Sequence, residues 1–294
     1  VDLLDIKPGG TYVDCTAGAG GHAVLIASRL GSGRLIALDR DETAVAIARR
    51  ALAEYTGAQV VHAPYATLRK IIANCNIDKV DGVLLDIGVS SHQLDTAERG
   101  FSYHNEAPLD MRMSQSGTLA YDLVNNLSWQ ELAKIINLYG EEKFAKKIAL
   151  AIERAREVAP IETTTQLSEI IKGAVPAFVR REGHPARQTF QALRIAVNDE
   201  LGALERGLDA AFSILKTGGI LAVITFHSLE DRIVKKKMAS WCKGCICPTD
   251  FPICVCGNKP KARLINKKAI VASKEELDLN KRSRSAKLRA CIRL

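Results

Sequence analysis

The chain has 294 residues, of which 47% are hydrophobic and 25% charged, a composition typical of a globular protein with one large domain or two modest ones. It contains no apolar run of about 18 residues, which argues against a membrane-spanning helix. Asp2 and Asp5 lie where a secretory signal would need an apolar stretch. We therefore expect a cytoplasmic protein without a membrane partner.

The formal net charge of +8 is unevenly distributed along the chain. Residues 232–294 contain 17 Lys and Arg against 4 Asp and Glu, so this segment carries +13 and residues 1–231 carry −5. Clustered cations gain from counterion release on a polyanion, which points to nucleic acid. A solvated basic tail that serves solubility or membrane contact explains the composition equally well.

Short apolar runs alternate with helical patterns in the first part of the chain. The patterns predict helices at 21–30, 42–55 and 65–75 between strands at 11–15, 34–38, 59–62 and 80–85. This βαβαβαβ order is typical of a parallel sheet with helices on both faces.

The middle of the chain changes character twice. Residues 88–117 are rich in Ser, Asp, Gly and Pro and lack periodicity, which predicts a long ordered functional loop. Helical patterns follow from 119 to about 215, one of them with Ser128 as its N-cap. The run 219–226 then returns to a buried-strand pattern, and a basic helix, a cysteine-rich loop, a β-like stretch at 262–271 and a basic tail complete the chain.

These patterns predict an α/β fold of the Rossmann type, with a doubly wound, mostly parallel sheet and an inserted all-helical domain. We assign residues 1–110 and 216–294 to the sheet domain and residues 111–215 to the insert.

A glycine-rich turn follows the first predicted strand. Gly18, Gly20 and Gly21 let a ligand approach the backbone closely. Asp39 ends the second strand 21 residues after Gly18, where a carboxylate can accept both hydroxyl protons of an adenosine ribose. The spacing Gly18-x-Gly20-x-x-Ala23 also satisfies the dinucleotide fingerprint, so the turn alone does not identify the ligand.

Two further acids separate the alternatives. Asp14, just ahead of the glycines, can receive the ammonium of a methionine moiety, whereas it would repel a pyrophosphate. Asp86 ends the fourth strand, where a carboxylate suits an acceptor amine or the cofactor rather than a nicotinamide. The set favours S-adenosylmethionine over NAD.

The end of the fourth strand is also where the reaction is expected, since open α/β sheets bind ligands at this edge. An aromatic exocyclic amine is a poor nucleophile that must be oriented through its protons, and Asp86 can accept them. Ser90 and His227 are further catalytic candidates, with a satisfied buried histidine as the alternative for His227. Methyl transfer to pyrimidine C5 would need a cysteine nucleophile, and neither this strand nor the one ending at 225–228 supplies one.

The chain closely resembles the RsmH (MraW) family of bacterial 16S rRNA cytosine-N4 methyltransferases. The resemblance spans nearly the whole chain and is carried by the stretches DCTAGAGGH (14–22), ALDRD (37–41), DIGVSSHQLDTAERGFS (86–102), PLDMRM (108–113), RQTFQALRIAVNDEL (187–201), FHSLEDR (226–232) and RSRSAKLR (282–289).

The resemblance implies a class I methyltransferase fold and a cytidine in the decoding centre of 16S rRNA, within the small ribosomal subunit, as substrate. It also implies cofactor contacts, with Tyr65 beside the adenine, from Gly20, Gly21, His22, Asp39, Tyr65, Asp86 and Gln93.

The sequence departs from related patterns at two places. The His-x-Pro-Val-Leu type of opening ahead of the first strand is absent, and we expect native residues ahead of Val1. The fourth strand also lacks the Asp-Pro-Pro-Tyr aromatic of general amine methyltransferases, for which Phe101, Phe226 or His227 can substitute.

Candidate substrate contacts are charged, polar and aromatic side chains that either grip the RNA or order the long loop. They are Ser91, Arg99, Phe101, Asp110, Arg112, Arg187, Arg194 and Phe226. The oligomeric state is left open, a homodimer included.

Five of the eight cysteines lie within 242–256, at positions 242, 245, 247, 254 and 256. They suffice for a tetrahedral zinc, but the C-x-C spacing is imperfect. We favour reduced thiols that pack the loop and predict no metal, with zinc as the alternative.

Overall fold

The computed structural model describes residues 1–248, 253 and 255–294. Its strands, numbered along the chain, are β1 Thr11–Asp14, β2 Arg34–Asp39, β3 Ala58–His62, β4 Val80–Asp86, β5 Leu215–Thr225, β6 Ala262–Leu264, β7 Ile270–Val271 and β8 Lys287–Arg293.

The α-helices, numbered in the same way, are α1 Gly21–Leu30, α2 Glu42–Ala51, α3 Leu68–Asn74, α4 Ser91–Asp95, α5 Ala120–Asn126, α6 Trp129–Gly140, α7 Ala145–Val158, α8 Thr164–Ala174, α9 Val179–Glu182, α10 Arg187–Asn198, α11 Glu200–Ile214, α12 Ser228–Cys242 and α13 Lys274–Leu279. Among the described residues, no helix is both long and apolar enough to cross a membrane.

All eight strands form one sheet in the order β3-β2-β1-β4-β5-β8-β6, with β7 beside β8. The first five strands pair in parallel, whereas β8 runs antiparallel to β5. Parallel strands need crossover connections, and α1, α2 and α3 supply them between the first four strands. The predicted doubly wound, mostly parallel sheet is therefore confirmed.

The central strands of this sheet are almost fully buried because apolar side chains pack on both of its faces. One core includes Ile36, Leu85 and Val223 together with Leu204 and Leu208 of α11. The other core, around Tyr12, Leu35 and Leu84, packs against α1 and α2.

The backbone divides into two compact units, one of residues Val1–Gly88 and Leu201–Leu294 and the other of Val89–Glu200. Both junctions precede the predicted ones, at 110/111 and 215/216. The first boundary lies before the predicted one because Phe101, Leu109 and Met111 of the long loop are buried in the core of the helical unit. The second boundary lies before the predicted one because α11 belongs to the core of the sheet unit.

Two elements differ from their sequence patterns. The helical pattern at 187–215 is broken at Asp199, which has φ 48° and separates α10 from α11. Aspartate adopts this left-handed conformation more readily than most residues. The apolar periodicity continues on both sides of Asp199, so the pattern predicted one continuous helix. The basic tail, in turn, contains β8, which occupies an interior position of the sheet.

Candidate cofactor-binding and active site

The carboxyl ends of three neighbouring strands each carry an aspartate. Asp14 ends β1, Asp39 ends β2 and Asp86 ends β4, and β1 lies between the other two strands. The parallel register therefore gathers three carboxylates at the edge where open α/β sheets bind ligands.

Asp14 is fully buried, and within the described part of the chain only one of its oxygens accepts a hydrogen bond. Oδ1 accepts a hydrogen bond from the backbone N–H of Thr16 at 3.1 Å. Oδ2 is buried without a hydrogen-bond partner among the described residues. Burial raises the pKa of Asp14 to about 6, against the opposing effects of the Thr16 N–H and His22. Such an oxygen suits a cationic ligand group, because desolvated anions gain most from a paired charge.

The glycine-rich turn is shaped for close packing and for access. Gly20 has φ 89° and caps α1, and a Cβ there would lie 3.0 Å from the Cβ of Ala51 on α2. A Cβ on Gly21 would meet nothing within 4 Å. Gly20 therefore brings α2 close to the turn, while Gly21 leaves open space at the N-terminus of α1, where backbone N–H groups are unpaired.

Asp39 stabilises the same turn. Its Oδ2 accepts from the N–H of Gly18 at 2.8 Å, and its Oδ1 accepts from the N–H of Asp41 at 2.9 Å. Burial raises the pKa of Asp39, although these backbone donors oppose the shift. Each carboxylate oxygen has a second lone pair, so the predicted ribose contacts remain chemically available.

Asp86 lies opposite a histidine at the start of α1. Its Oδ2 is 3.5 Å from Nδ1 of His22, and its Oδ1 is buried without a hydrogen-bond partner in the described part of the chain. Thr16 holds the strand end, since its Oγ1 accepts from the N–H of Asp86 at 2.7 Å. Burial, with a smaller effect from the carboxylate of Glu230, raises the pKa of Asp86 to about 6.

The residues after β5 face the end of β4. A Cβ on Gly88 would lie 3.5 Å from Cδ2 of Phe226, so this ring, which is half-buried, lies beside the chain just beyond Asp86. His227 is the N-cap of α12, and its Nε2 lies 3.0 Å from Oε1 of Glu230, an ion-pair distance without hydrogen-bond geometry. The buried Glu230 also accepts from the N–H groups of Phe226 and His227. His227 thus has a capping role here, and its catalytic role stays a prediction.

Tyr65 follows β3 and packs against α11. A Cβ on Gly207 would overlap the Tyr65 ring, so the glycine lets the ring lie directly on the helix backbone. The ring is half-buried, which leaves part of it accessible to a flat ligand. Neither Gly207 nor the buried Glu230 was predicted from the sequence, because an isolated glycine or glutamate in a helical pattern carries no specific signal.

Three predicted residues of the second unit belong to α4 and its N-cap, Ser90. Ser90 Oγ accepts from the N–H of Gln93 at 3.2 Å, and Gln93 Oε1 accepts from the N–H of Ser90 at 3.1 Å. These bonds form a capping box, so both side chains have a helix-capping role in addition to their predicted catalytic and cofactor roles. Ser91 is exposed.

The long loop contains four more predicted residues. Three of them have side chains that make hydrogen bonds or an ion pair within the loop. Arg99 donates to the carbonyls of Arg112 and Met113, at 2.9 and 3.0 Å. Arg112 makes a bidentate pair with Asp110, both contacts at 2.8 Å. Phe101 is buried in the helical core, which does not fit its predicted base-stacking role. These residues order the loop, which is the second of the two roles considered for them.

Two predicted arginines on α10 differ in their surroundings. Arg194 makes a bidentate pair with the buried Glu200, at 2.7 and 2.9 Å. Arg187 is exposed, and its guanidinium has no partner among the described residues. Arg180 and Arg181 on α9 are exposed in the same way and were missed, because charged residues in a helical segment are usually a solvated face. Three guanidinium groups without a described partner therefore lie within eight residues of one another in the sequence.

Part of the basic C-terminal segment builds the fold instead of facing solvent. Arg289 on β8 pairs with Asp231, at 2.7 and 3.2 Å. Arg293 donates to the carbonyls of Phe212, Ser213 and Leu215. The charge imbalance of this segment thus overstates the number of cations available to a polyanion.

Comparison with known proteins identifies the family of the chain. The family model described as the MraW methylase family matches residues 1–294. The chain is 54% identical over 304 residues to the ribosomal RNA small subunit methyltransferase H of Paenibacillus sp. (strain JDR-2), with 100% of this chain and 96% of that protein covered. It is 55% identical over 298 residues to the protein of the same name from Symbiobacterium thermophilum, with 100% and 94% covered.

A solved rRNA methylase structure from Streptococcus thermophilus gives a TM-score of 0.45 at 8% identity, over 99% of this chain and 92% of that one. The fold assignment rests on the strand order of the sheet and not on this distant structural similarity. The match of the family model over the whole chain shows that this protein belongs to the MraW methylase family.

Proposed function

We propose that this protein transfers a methyl group from S-adenosylmethionine to the exocyclic N4 amine of a cytidine in the decoding centre of 16S rRNA. The observation that carries the proposal is the set of three carboxylates at the ends of β1, β2 and β4, two of them with a buried unpartnered oxygen among the described residues. The substrate class follows the names of the relatives, which are ribosomal RNA small subunit methyltransferases. A ribosomal substrate puts the proposed activity in the cytoplasm.

The residues at the strand ends fit this cofactor. The unpartnered Oδ2 of Asp14 offers an acceptor for the methionine ammonium, and Asp39 offers lone pairs to the ribose hydroxyls. Gly21 leaves space for backbone approach, and the half-buried Tyr65 offers a ring face to the adenine. When bound, S-adenosylmethionine supplies an electrophilic methyl on a cationic sulfur.

Asp86 is the proposed catalytic residue. An unpartnered, buried oxygen can accept a hydrogen bond from the substrate amine and fix its orientation, which lowers the entropic part of the barrier. The amine gains positive charge as it is methylated, and the nearby carboxylate stabilises that charge. Because its pKa is raised to about 6, Asp86 also takes up a proton more readily than an ordinary aspartate. Phe226, beside Gly88, offers an aromatic face to the base.

The second unit is proposed to bind the RNA. The exposed guanidinium groups of Arg180, Arg181 and Arg187 suit phosphate oxygens, because such groups bind them with charge-assisted hydrogen bonds. Lys235 and Lys236 of α12 are also exposed and add positive charge in the sheet unit.

The test measures methyl transfer from labelled S-adenosylmethionine to small ribosomal subunits isolated from cells that lack the gene. Asp86→Asn should abolish transfer while S-adenosylhomocysteine still binds. Asp81→Asn is the matched control, since Asp81 lies at the other end of β4 and pairs with Lys216, and it should retain activity. Digestion of the product to nucleosides, followed by mass spectrometry, should show N4-methylcytidine.

The rival function is a non-catalytic RNA-binding or assembly protein on a methyltransferase fold. It predicts RNA binding without any methyl transfer by the wild-type protein. Methylation of another nucleoside would contradict the cytidine assignment alone, whereas normal transfer by Asp86→Asn would contradict the catalytic role.

A further inference from the structure

The connection between α12 and β6 contains a cluster of sulfur atoms. The Sγ atoms of Cys245, Cys247 and Cys256 all lie within 4.8 Å of one another. Two of them, on Cys245 and Cys256, are 3.7 Å apart. This cluster belongs to the sheet unit and lies outside the strand-end site described above.

The sulfur separation distinguishes between two kinds of chemistry. A disulfide requires a bond of about 2.05 Å, so the 3.7 Å between Cys245 and Cys256 is too long for one and is the length of a hydrogen bond between two thiols. Two thiolates each about 2.3 Å from a tetrahedral zinc ion are separated by roughly 3.8 Å. The same separation therefore suits two zinc-bound thiolates without any movement of the chain, and the exposure of the cluster favours zinc over packed thiols.

The backbone around the sulfurs fits the same interpretation. The N–H of Ile246 points at Sγ of Cys256, at 3.3 Å, and a backbone donor of this kind stabilises a thiolate. Gly257 follows Cys256 with φ 61°, a left-handed turn that glycine adopts without strain. Asn258 closes the connection, since its Nδ2 donates to the carbonyls of Lys243 and Gly244.

Apolar packing by the described residues does not account for the cluster. Thiols that pack as small hydrophobic groups are normally buried, but Cys245 is exposed and Cys247 and Cys256 are only half-buried. The neighbouring apolar side chains face solvent too, with Ile246 58% and Val255 73% exposed. The described part of the connection thus has little hydrophobic core to hold its shape.

We propose that Cys245, Cys247 and Cys256 bind a structural zinc ion, in place of the reduced loop-packing thiols favoured from the sequence. Zinc accepts thiolate ligands and tetrahedral geometry, and its binding energy can order a segment that lacks an apolar core. Three sulfurs leave one coordination position for a fourth ligand. Cys254 lies outside the described residues, and Cys242 is not part of the cluster.

The first experiment is metal analysis of the full-length protein, purified without a histidine tag and without chelators from zinc-supplemented cells. The wild-type protein should contain about one zinc ion per chain, and Cys245→Ser and Cys256→Ser should lose most of it. Cys75→Ser, which removes a thiol outside the cluster, should keep the wild-type content. Metal-free wild-type protein, iron in place of zinc, or full zinc content in both serine variants would overturn the proposal.

A second experiment keeps the proposal testable if the serine variants fold poorly. The zinc of the wild-type protein is exchanged for Co²⁺, which should give the strong visible absorption and sulfur-to-metal charge-transfer bands of tetrahedral thiolate coordination. Chelation should then accelerate tryptic cleavage after Lys243, which precedes the cluster, without changing the rate after Lys172 on α8. A cobalt spectrum without sulfur charge transfer would contradict the ligand assignment. Neither readout depends on methyl transfer, so the zinc site and the proposed function can fail separately.

Discussion

Nδ1 of His22 lies 3.5 Å from Oδ2 of Asp86, while Oδ1 of the same carboxylate is buried and unpartnered among the described residues. One oxygen of Asp86 thus lies beside His22 at the start of α1, and the other is available to the proposed ligand. This arrangement places two carboxylates where the proposed cationic ligand would bind, since Asp14, at the adjacent strand end, carries a second oxygen without a hydrogen-bond partner among the described residues.

Cofactor affinity should weaken as the pH falls below about 6. The pKa values of Asp14 and Asp86 are both raised to about 6, so protonation removes the charges that attract the sulfonium and the ammonium. If binding requires the loss of one proton from this pair of acids, we expect the Kd of S-adenosylmethionine to rise about tenfold for each unit by which the pH falls below about 6. Calorimetry between about pH 5 and 8 measures this dependence.

S-adenosylhomocysteine and Asp14→Asn are the matched controls for this prediction. S-adenosylhomocysteine lacks the sulfonium charge and should show a weaker pH dependence. The amide side chain of the Asp14→Asn variant cannot ionise, so this variant should bind weakly at every pH with a flatter profile. A pH-independent Kd for the wild-type protein would contradict the role of these acids.

Asp86→Asn should stabilise the free protein at neutral pH while abolishing methyl transfer. The pKa of Asp86 in the folded protein lies above its ordinary value of 3.8, so ionisation of this carboxyl group lowers the stability of the folded state. This loss of stability develops as the pH rises from 3.8 to about 6. The free energy of unfolding should increase by roughly 1–3 kcal/mol above pH 6, and the gain should shrink as the pH falls towards 4. Urea denaturation at several pH values measures it, and a destabilised variant at neutral pH would contradict the prediction.

The sheet, its carboxylates and the glycine turn were predictable because short apolar strands and glycines carry local signals. The left-handed residue Asp199 and the strand β8 were not, since one depends on a single backbone angle and the other on a partner far along the chain. The roles of arginines were equally hidden, because ion pairs such as Arg289 with Asp231 and Arg194 with Glu200 form only in the folded structure.

Asn198 should be essential for the stability of the helical unit. Met111 adopts φ 60°, which is strained for this residue. Asn198, itself buried, donates to the Met111 carbonyl at 2.7 Å and accepts from the N–H of Met113 at 2.8 Å. Asn198→Ala leaves both groups unpaired and should cost about 2–4 kcal/mol in thermal or urea unfolding. The exposed Asn126→Ala on α5 is the control and should change stability little, and an equal effect in both variants would contradict this role.

Two glycine substitutions in helices should have opposite effects. Gly207→Ala on α11 puts a methyl group into the Tyr65 ring, so the ring must move, and both stability and affinity for S-adenosylhomocysteine should fall. Gly173→Ala on α8 meets nothing within 4 Å and should gain up to about 1 kcal/mol from the higher helix propensity of alanine. Differential scanning calorimetry and binding titrations measure the two effects. Unchanged ligand affinity in Gly207→Ala would show that Tyr65 does not contact the cofactor.

Neutralising the exposed arginines of the helical unit should weaken RNA binding without affecting the folded structure. Arg180, Arg181 and Arg187 have no ion-pair partners among the described residues, so their replacement breaks no internal ion pair there. Removing one arginine–phosphate interaction should reduce the slope of log K against log salt concentration by about 0.7–0.9, so the triple alanine variant should bind small ribosomal subunits less tightly and with a shallower salt dependence. The KM for subunits should rise, while S-adenosylhomocysteine affinity and the melting temperature stay unchanged. Arg154→Ala, which removes another exposed arginine of the same unit, has the same net charge as the single variant Arg187→Ala and is its control. A triple variant with the same salt slope as Arg154→Ala would exclude phosphate binding by the three arginines.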